Sequence, residues 1–312
     1  MRPTVDLVGH RVSVRHVHDG SATDVVGRVL AVTDRLVVER RDGRIAEVPI
    51  AAVVAWKVVP DRPVRTRRAS DVDAEDLTRI TSRGWPATES VPLGAWELRA
   101  AAGFTGRANS VAVTGDPGLP VADALDQVED FYRARGLPPL AQVVVGSRGQ
   151  RDLEAHGWRS WNGSRPGAVV QVADLRQPPP ADADVVVSDD PDDVWLSLYQ
   201  RVGDEDPAVV RAVLTGPPTV GFASVGDPVV GIGRVVVTGE WAGLSAGEVS
   251  PEHRRQGLAT RIVDASLAWA AARGADKAYL QTMPDNTAAL ALYARLGFTT
   301  HHEYRYLAAP PR

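Results

Sequence analysis

Apolar and polar positions alternate with different periods in successive parts of the chain. Near the N-terminus, residues 11–15, 27–32, 36–40, 44–48 and 52–58 carry valine, leucine and isoleucine in short β-type runs, which predicts five strands. Asp42-Gly43, between the third and fourth runs, predicts a tight hairpin turn. So many short strands over residues 1–60 predict a small, all-β barrel.

After residue 70 the period switches between helical and extended. Residues 74–80 start a helix, 95–100 and 110–113 read as strands, and 122–135 form an amphipathic helix with Leu125, Val128 and Phe131-Tyr132 inward. A strand at 142–145 and a short helix at 151–158, closed by Gly157, complete this region, 71–176. Gln177-Pro178-Pro179-Pro180 favours an extended spacer and marks a boundary. Beyond it, over 183–312, the pattern predicts a strand at 185–187 and helices at 194–199 and 208–214. A hairpin of 220–224 with 230–237 turns at Gly226-Asp227, and Trp241 to Val249 suits a buried strand. A helix follows from Leu258, with Ile262, Val263, Ala265, Leu267 and Trp269 at helical spacing. Then come a strand at 279–281, a helix from Asn286 closed by Gly297, and a last strand at 298–307.

The stretch from Val249 to Thr260 is a glycine-bearing loop between a strand and a helix. That order leaves backbone N–H groups free at a helix start, where the dipole favours a phosphate or pyrophosphate. Gly257 lets the backbone approach an anion, Ala259 is nearly as small, and Arg254 and Arg255 supply charge at the rim. Taken with the later Asn286…Tyr293…Gly297-Phe298 helix, this run resembles the GNAT superfamily of acyl-CoA N-acyltransferases. The resemblance implies a GNAT fold over 183–312, with a mixed, mostly antiparallel sheet in an α/β (α+β) chain. It implies acetyl-CoA as co-substrate, its pantetheine on the backbone near Val249 and its pyrophosphate lined by Arg254, Arg255, Gln256, Gly257, Leu258, Ala259 and Thr260. Asn286 would reach the coenzyme, or cap its helix, or both. Tyr293 would protonate the departing thiolate; a core aromatic packed before Gly297-Phe298 is the other reading. Many family members carry a glutamate base on the strand before the loop. Here Gly243 and Leu244 hold that neighbourhood, leaving Glu240 as candidate base or water relay and Glu248 next.

The N-terminal module resembles the SH3-like barrel of certain actinobacterial GNAT proteins, where it serves as a docked structural module or a peptide or nucleic-acid binder. Region 71–176 repeats the element order of 183–312, which reads as a degenerate GNAT-like half. Its loop, Thr114-Gly115-Asp116-Pro117-Gly118-Leu119-Pro120, lacks the arginine register, and Asp116 would repel a pyrophosphate. An unrelated α/β module is the alternative.

Composition narrows the field. The 312 residues contain no cysteine, which excludes thiol nucleophiles, disulfides and cysteine-ligated zinc. His301-His302 is the one adjacent histidine pair, and neighbours on a strand face opposite ways, so no metal site is expected. A formal net charge of −4 gives no global case for a nucleic-acid or lipid partner. The 61–68 connection holds four arginines in residues 62–68 but no interleaved aromatics, so it reads as a solvated linker. No signal core or spanning run is present, and a bacterial, cytoplasmic protein is expected. The acceptor, a small-molecule or lysine amine, stays open; Asp204, Glu205 and Asp206 would attract it as a cation, or form a solvated turn. A non-catalytic coenzyme A sensor or scaffold is the alternative to an N-acetyltransferase.

Overall fold

A computed structural model describes residues 7–18, 21–40, 44–59, 67–200 and 205–311. The chain divides into two compact units, Met1–Arg67 and Arg68–Arg312. In the first, β1 (Arg11–His18), β2 (Ser21–Val32), β3 (Arg35–Arg40), β4 (Ile45–Pro49) and β5 (Val53–Val58) form one antiparallel sheet in the order β4-β3-β2-β1-β5. Val12, Val14, Val25, Val29, Leu36, Val38 and Val48 are its buried face, as the alternation predicts. Among the described residues the two edge strands do not pair, so the sheet is not a closed barrel as expected. The Asp42-Gly43 turn and most of the basic connection lie outside the described residues.

The second unit is built on one sheet. Its elements are α1 (Ala74–Gly84), β6 (Glu89–Leu93), β7 (Trp96–Ala100), β8 (Val111–Ala112), α2 (Val121–Arg133), β9 (Leu140–Val144), α3 (Arg148–Ala155), β10 (Arg159–Ser160) and β11 (Gly167–Asp174). There follow β12 (Val185–Ser188), α4 (Asp193–Leu198), α5 (Pro207–Thr215), β13 (Val220–Val225), β14 (Gly231–Thr238), β15 (Trp241–Val249), α6 (Leu258–Ala271), β16 (Lys277–Thr282), α7 (Thr287–Arg295) and β17 (Thr299–Ala308). The strand order is β12-β13-β14-β15-β16-β11-β17-β9-β8-β7-β6, with β10 on β17. Each region contains one parallel pair, β8 with β9 and β15 with β16; among the described residues the other pairings of the sheet are antiparallel.

Regions 71–176 and 183–312, read as separate domains from the sequence, therefore share one sheet, and they exchange their last strands. β11 lies against β16, and β17 lies against β9. Residues 167–174, unassigned by the periodicity, are mostly apolar on both faces because both are covered: Ala168, Val169, Val170 and Val172 are all buried.

α6 packs across β13, β14 and β15. Its Ile262 explains the glycines of β14. A Cβ at Gly233 would stand 2.5 Å from Ile262 Cγ2, and one at Gly231 would stand 2.9 Å from Cδ1. The Gly-x-Gly pair thus permits close helix packing and is no dinucleotide turn. The opposite face takes α4 and α5 with Trp85 and Phe104 from the first region, and α2 and α3 cover β7, β8 and β9.

Candidate active site

β15 and β16 run parallel in register only from Trp241↔Lys277 to Leu244↔Leu280. Beyond Leu244 the strands part. A register shift of β15 on β14 between Ile232 and Arg234, with Ala246 at φ +52, marks a bulge at the parting. β15 then leads through Ser250 and a short 3-10 turn, Pro251–His253, into α6.

The turn is shaped by Arg255 at φ +66 and Gly257 at φ +81, the second a position where glycine carries no strain. α6 has no side-chain cap; its first intrahelical bond is Arg261 N–H to Gly257 O, 3.2 Å. Among the described residues, no acceptor meets the N–H groups of Arg255, Gln256, Gly257, Leu258, Ala259 or Thr260. A Cβ on Gly257 would meet nothing within 4 Å, so the approach is open. Unclaimed amides at the positive end of a 14-residue helix suit an anion with several oxygens, as a pyrophosphate has. Arg255 and Gln256 are exposed at the rim, while Arg254 turns back, its Nε donating to Val249 O at 3.2 Å. In the first turn of α6, Arg261 forks onto Asp182 at 2.6 and 2.8 Å and holds that carboxyl down at about 2. This pair fastens the helix to the 177–184 segment.

Asn286 is the α7 N-cap: its Oδ1 accepts from Ala289 N–H at 3.1 Å. Tyr293, on α7, packs edge-on against Phe298 with centroids 5.8 Å apart. Its hydroxyl also reaches β15, lying 3.9 Å from where a Cβ on Gly247 would stand. The capping reading of Asn286 and the packing reading of Tyr293 are thus observed. Glu248 is on the same strand past the bulge, and its carboxylate accepts from Gln200 N–H at 3.3 Å. Glu240 is not brought to this group. It sits in the turn before β15, at the end remote from the loop, paired with Lys277 Nζ at 3.0 Å. The absence of a glutamate at 243 has a steric cause: a Cβ there would lie 2.3 Å from the buried Tyr279 hydroxyl.

Where the strands part, a cavity of about 660 Å³ opens beside Gln281, Thr282 and Met283, the residues just past the parallel register. Gln200, Glu205, Arg107 and Tyr304 also line it, Glu205 near Gly103 of the loop that carries Arg107. Of the acidic trio expected to face an acceptor, Asp206 instead caps α5 through Ala208 N–H at 2.8 Å, and Asp204 lies outside the described residues. Sequence reasoning misses Arg107 because nothing local marks it; buried Asn109 places it. Asn109 Oδ1 accepts from Ala101 and Gly103, and its Nδ2 donates to Phe104 and Thr105, all within 2.9 Å. These bonds hold a loop with Ala102 at φ +46 and Thr105 at φ +62.

The histidine pair also departs from expectation. A bulge between Val170 and Gln171 leaves His301 without a partner on β11 and turns the two rings together, Nδ1 to Nδ1 at 2.7 Å. His301 Nε2 donates to Val72 O at 3.0 Å, so His302 Nδ1 supplies the shared proton.

The family described as "Probable histone acetyltransferase Rv0428c C-terminal" matches residues 70–307. The chain belongs to this acetyltransferase family. It is 33% identical to "Probable histone acetyltransferase Rv0428c" of Mycobacterium tuberculosis (strain ATCC 25618 / H37Rv) over 319 residues, 97% of this chain and 95% of the relative. It is 28% identical to "Uncharacterized N-acetyltransferase YobR" of Bacillus subtilis (strain 168), covering 75% of this chain and 98% of that one. Its fold is shared, at TM-score 0.54 and 16% identity, by a tandem GNAT protein from the clavulanic acid biosynthesis pathway, over 80% of this chain and 91% of that chain. The protein is an N-acetyltransferase with the fold of that GNAT structure. No helix among its described residues is long and apolar enough to cross a membrane.

Proposed function

We propose that this acetyltransferase moves the acetyl group of acetyl-CoA onto a primary amine within a ternary complex. The observation that carries the reading is the run of unclaimed amides from Arg255 to Thr260 beside the parting of β15 and β16. The thioester supplies the activated acyl group. The amides and Arg255 hold the pyrophosphate, and the separated edge of β15 near Val249 offers its backbone to the pantetheine arm. Asn286, already a cap, stands at the start of α7 to meet the coenzyme as well. As the amine nitrogen bonds to the carbonyl carbon, Glu248 takes its proton directly or through water. The carbon–sulfur bond breaks, and the Tyr293 hydroxyl gives its proton to the thiolate.

The first region is a GNAT-like half that has lost coenzyme binding. Its matching strand order and parallel pair support this, as do the carboxylates on its loop: Asp116 Oδ1 accepts from Gly118 N–H, and Glu75 Oε2 from Gly115 N–H, each at 2.7 Å. The family comparisons name acetyltransferases and lend no support to a purely coenzyme-sensing role.

Steady-state release of coenzyme A thiol across an amine panel, with binding measured alongside, tests the reading. Tyr293→Phe is expected to lower kcat by about 100-fold with coenzyme affinity within a few fold. Full turnover in that variant removes Tyr293 from the mechanism. Turnover with no amine, despite tight acetyl-CoA binding, removes the enzymatic assignment of the acceptor half-reaction.

A further inference from the structure

The charges around the cavity are unevenly matched. Arg107 is half-buried, stacks at 4.3 Å on the Trp85 indole and donates through Nη1 to Gln281 Oε1 at 2.9 Å. Among the described residues no carboxylate comes within ion-pair distance of it. A second guanidinium, Arg234, lies over the same indole at 5.0 Å, is 1% exposed, and has no carboxylate either. Its Nε and Nη1 donate to Leu214 O, Gly84 O and Ser245 Oγ, but its buried Nη2 has no partner. Burial and the neighbouring Arg107 pull the Arg234 guanidinium down to about 9, a sign of how poorly its positive charge is compensated. Gln281 repeats the theme on the cavity wall. Its Oε1 accepts from both Arg107 and Tyr304, the latter at 3.3 Å, which turns its amide N–H₂ to the side with no protein acceptor. The cavity wall thus gathers a fixed guanidinium and an amide donor, with a second cation buried against the same indole. Among the described residues one carboxylate, Glu205, lines the cavity, its Oε2 3.8 Å from where a Cβ on Gly103 would stand.

A cation held half out of water without an anion is costly, and a ligand carboxylate is the group that repays this with a planar, two-bond match. Taking the acetyl-transfer reading as its basis, we propose that the acceptor is an amine whose own skeleton carries a carboxylate. The carboxylate pairs with Arg107 and the Gln281 amide nitrogen, and Glu205 draws the ammonium end toward the parting of the strands. This deepens the open choice between small molecule and lysine toward a free amino-acid-like molecule. The cavity volume of about 660 Å³ accommodates one such molecule, and Phe104, Trp161 and Tyr306 give part of it aromatic walls.

The test uses the full chain, acetyl-CoA and matched acceptors: amino acids, the same molecules as carboxamides and as decarboxylated amines, aminoalkyl phosphates, and a lysine peptide blocked at both ends. The expected result is a kcat/KM for the acids about 100-fold above their carboxamide and decarboxylated partners. That ratio should collapse to a few fold in Arg107→Gln. Gln281→Glu, which supplies a carboxylate to Arg107 from within, should do the same while keeping the guanidinium in place. Equal turnover of acids and carboxamides by the parent enzyme overturns the inference, as does preference for the aminoalkyl phosphates or the blocked lysine peptide. Those results leave the acetyl-transfer reading standing. Failure of acetyl-CoA to raise the melting temperature, with no amine turned over, defeats that reading and this inference with it.

Discussion

In the first region two amides of the turn before α2 are claimed by the chain's own carboxylates: Asp116 holds Gly118 N–H and Glu75 holds Gly115 N–H. In the second, the turn and first residues of α6 leave six successive N–H groups, Arg255 to Thr260, without an acceptor among the described residues. Both turns follow a strand of a parallel pair and precede a long helix without a side-chain cap. The same local geometry therefore carries the protein's own carboxylates on its turn in one place and, among the described residues, none in the other. What distinguishes them is which carboxylates the chain brings near, a matter of two side chains rather than of fold.

The buried arginines extend the contrast. Each region buries one on the strand preceding its parallel pair, Arg99 on β7 and Arg234 on β14. Arg99 is fully engaged, donating to Ser82 Oγ, to Ser110 O and Oγ, and to Gln142 Oε1. Arg234 spends fewer donors and leaves Nη2 bare. The first region uses its arginine as a structural rivet; the second buries a cation against the Trp85 indole that Arg107 also stacks on.

The largest effect that would sharpen this comparison is on stability. Arg99→Met should cost about 3 kcal/mol in denaturant unfolding, because it strands three buried polar partners. Arg234→Met should cost less, about 1–2 kcal/mol, since it strands Leu214 O, Gly84 O and Ser245 Oγ but removes a buried cation whose Nη2 has no partner. Equal costs would dissolve the distinction. Next comes the loop. Gln256→Asp imitates the first region's carboxylate and should weaken coenzyme A binding by about 2 kcal/mol, roughly 30-fold, whereas Asp116→Asn should leave it unaltered. Calorimetric titration of both variants decides this. A smaller effect concerns the strand exchange, whose seam carries His301 and His302. Burial, then His301, pulls His302 down to about 4, against the weaker opposite pull of Asp73. The unfolded chain takes up its proton below about pH 6.5 and the folded one only near 4, so stability should fall as pH drops between these values. After solvent screening the loss should be about 1–2 kcal/mol, and His302→Asn should flatten that part of the stability profile.

How much of this was legible in the sequence follows from which contacts are local. The strand, loop and helix from Trp241 to Ala271 are contiguous, so their residues appear in order in the sequence and fall where the pattern puts them. The exchange of β11 and β17 is a choice of partner across more than a hundred residues, and an apolar run such as Ala168 to Val172 fits any covered position in a sheet. The histidine pairing depends on a single bulge, which a two-residue period cannot reveal. Glu240 misled because a carboxylate close in sequence to the loop is far from it along an extended strand. Arg107 was invisible because its setting is assembled from Trp85, Asn109 and Gln281, which share no local motif.

Titration of the whole protein with coenzyme A, followed by calorimetry, bears most directly on the central claim that one helix start of the two has been left open for a diphosphate. One site per chain, abolished or strongly weakened by Gln256→Asp and indifferent to Asp116→Asn, is the predicted outcome. No heat of binding, or two sites per chain, would contradict it.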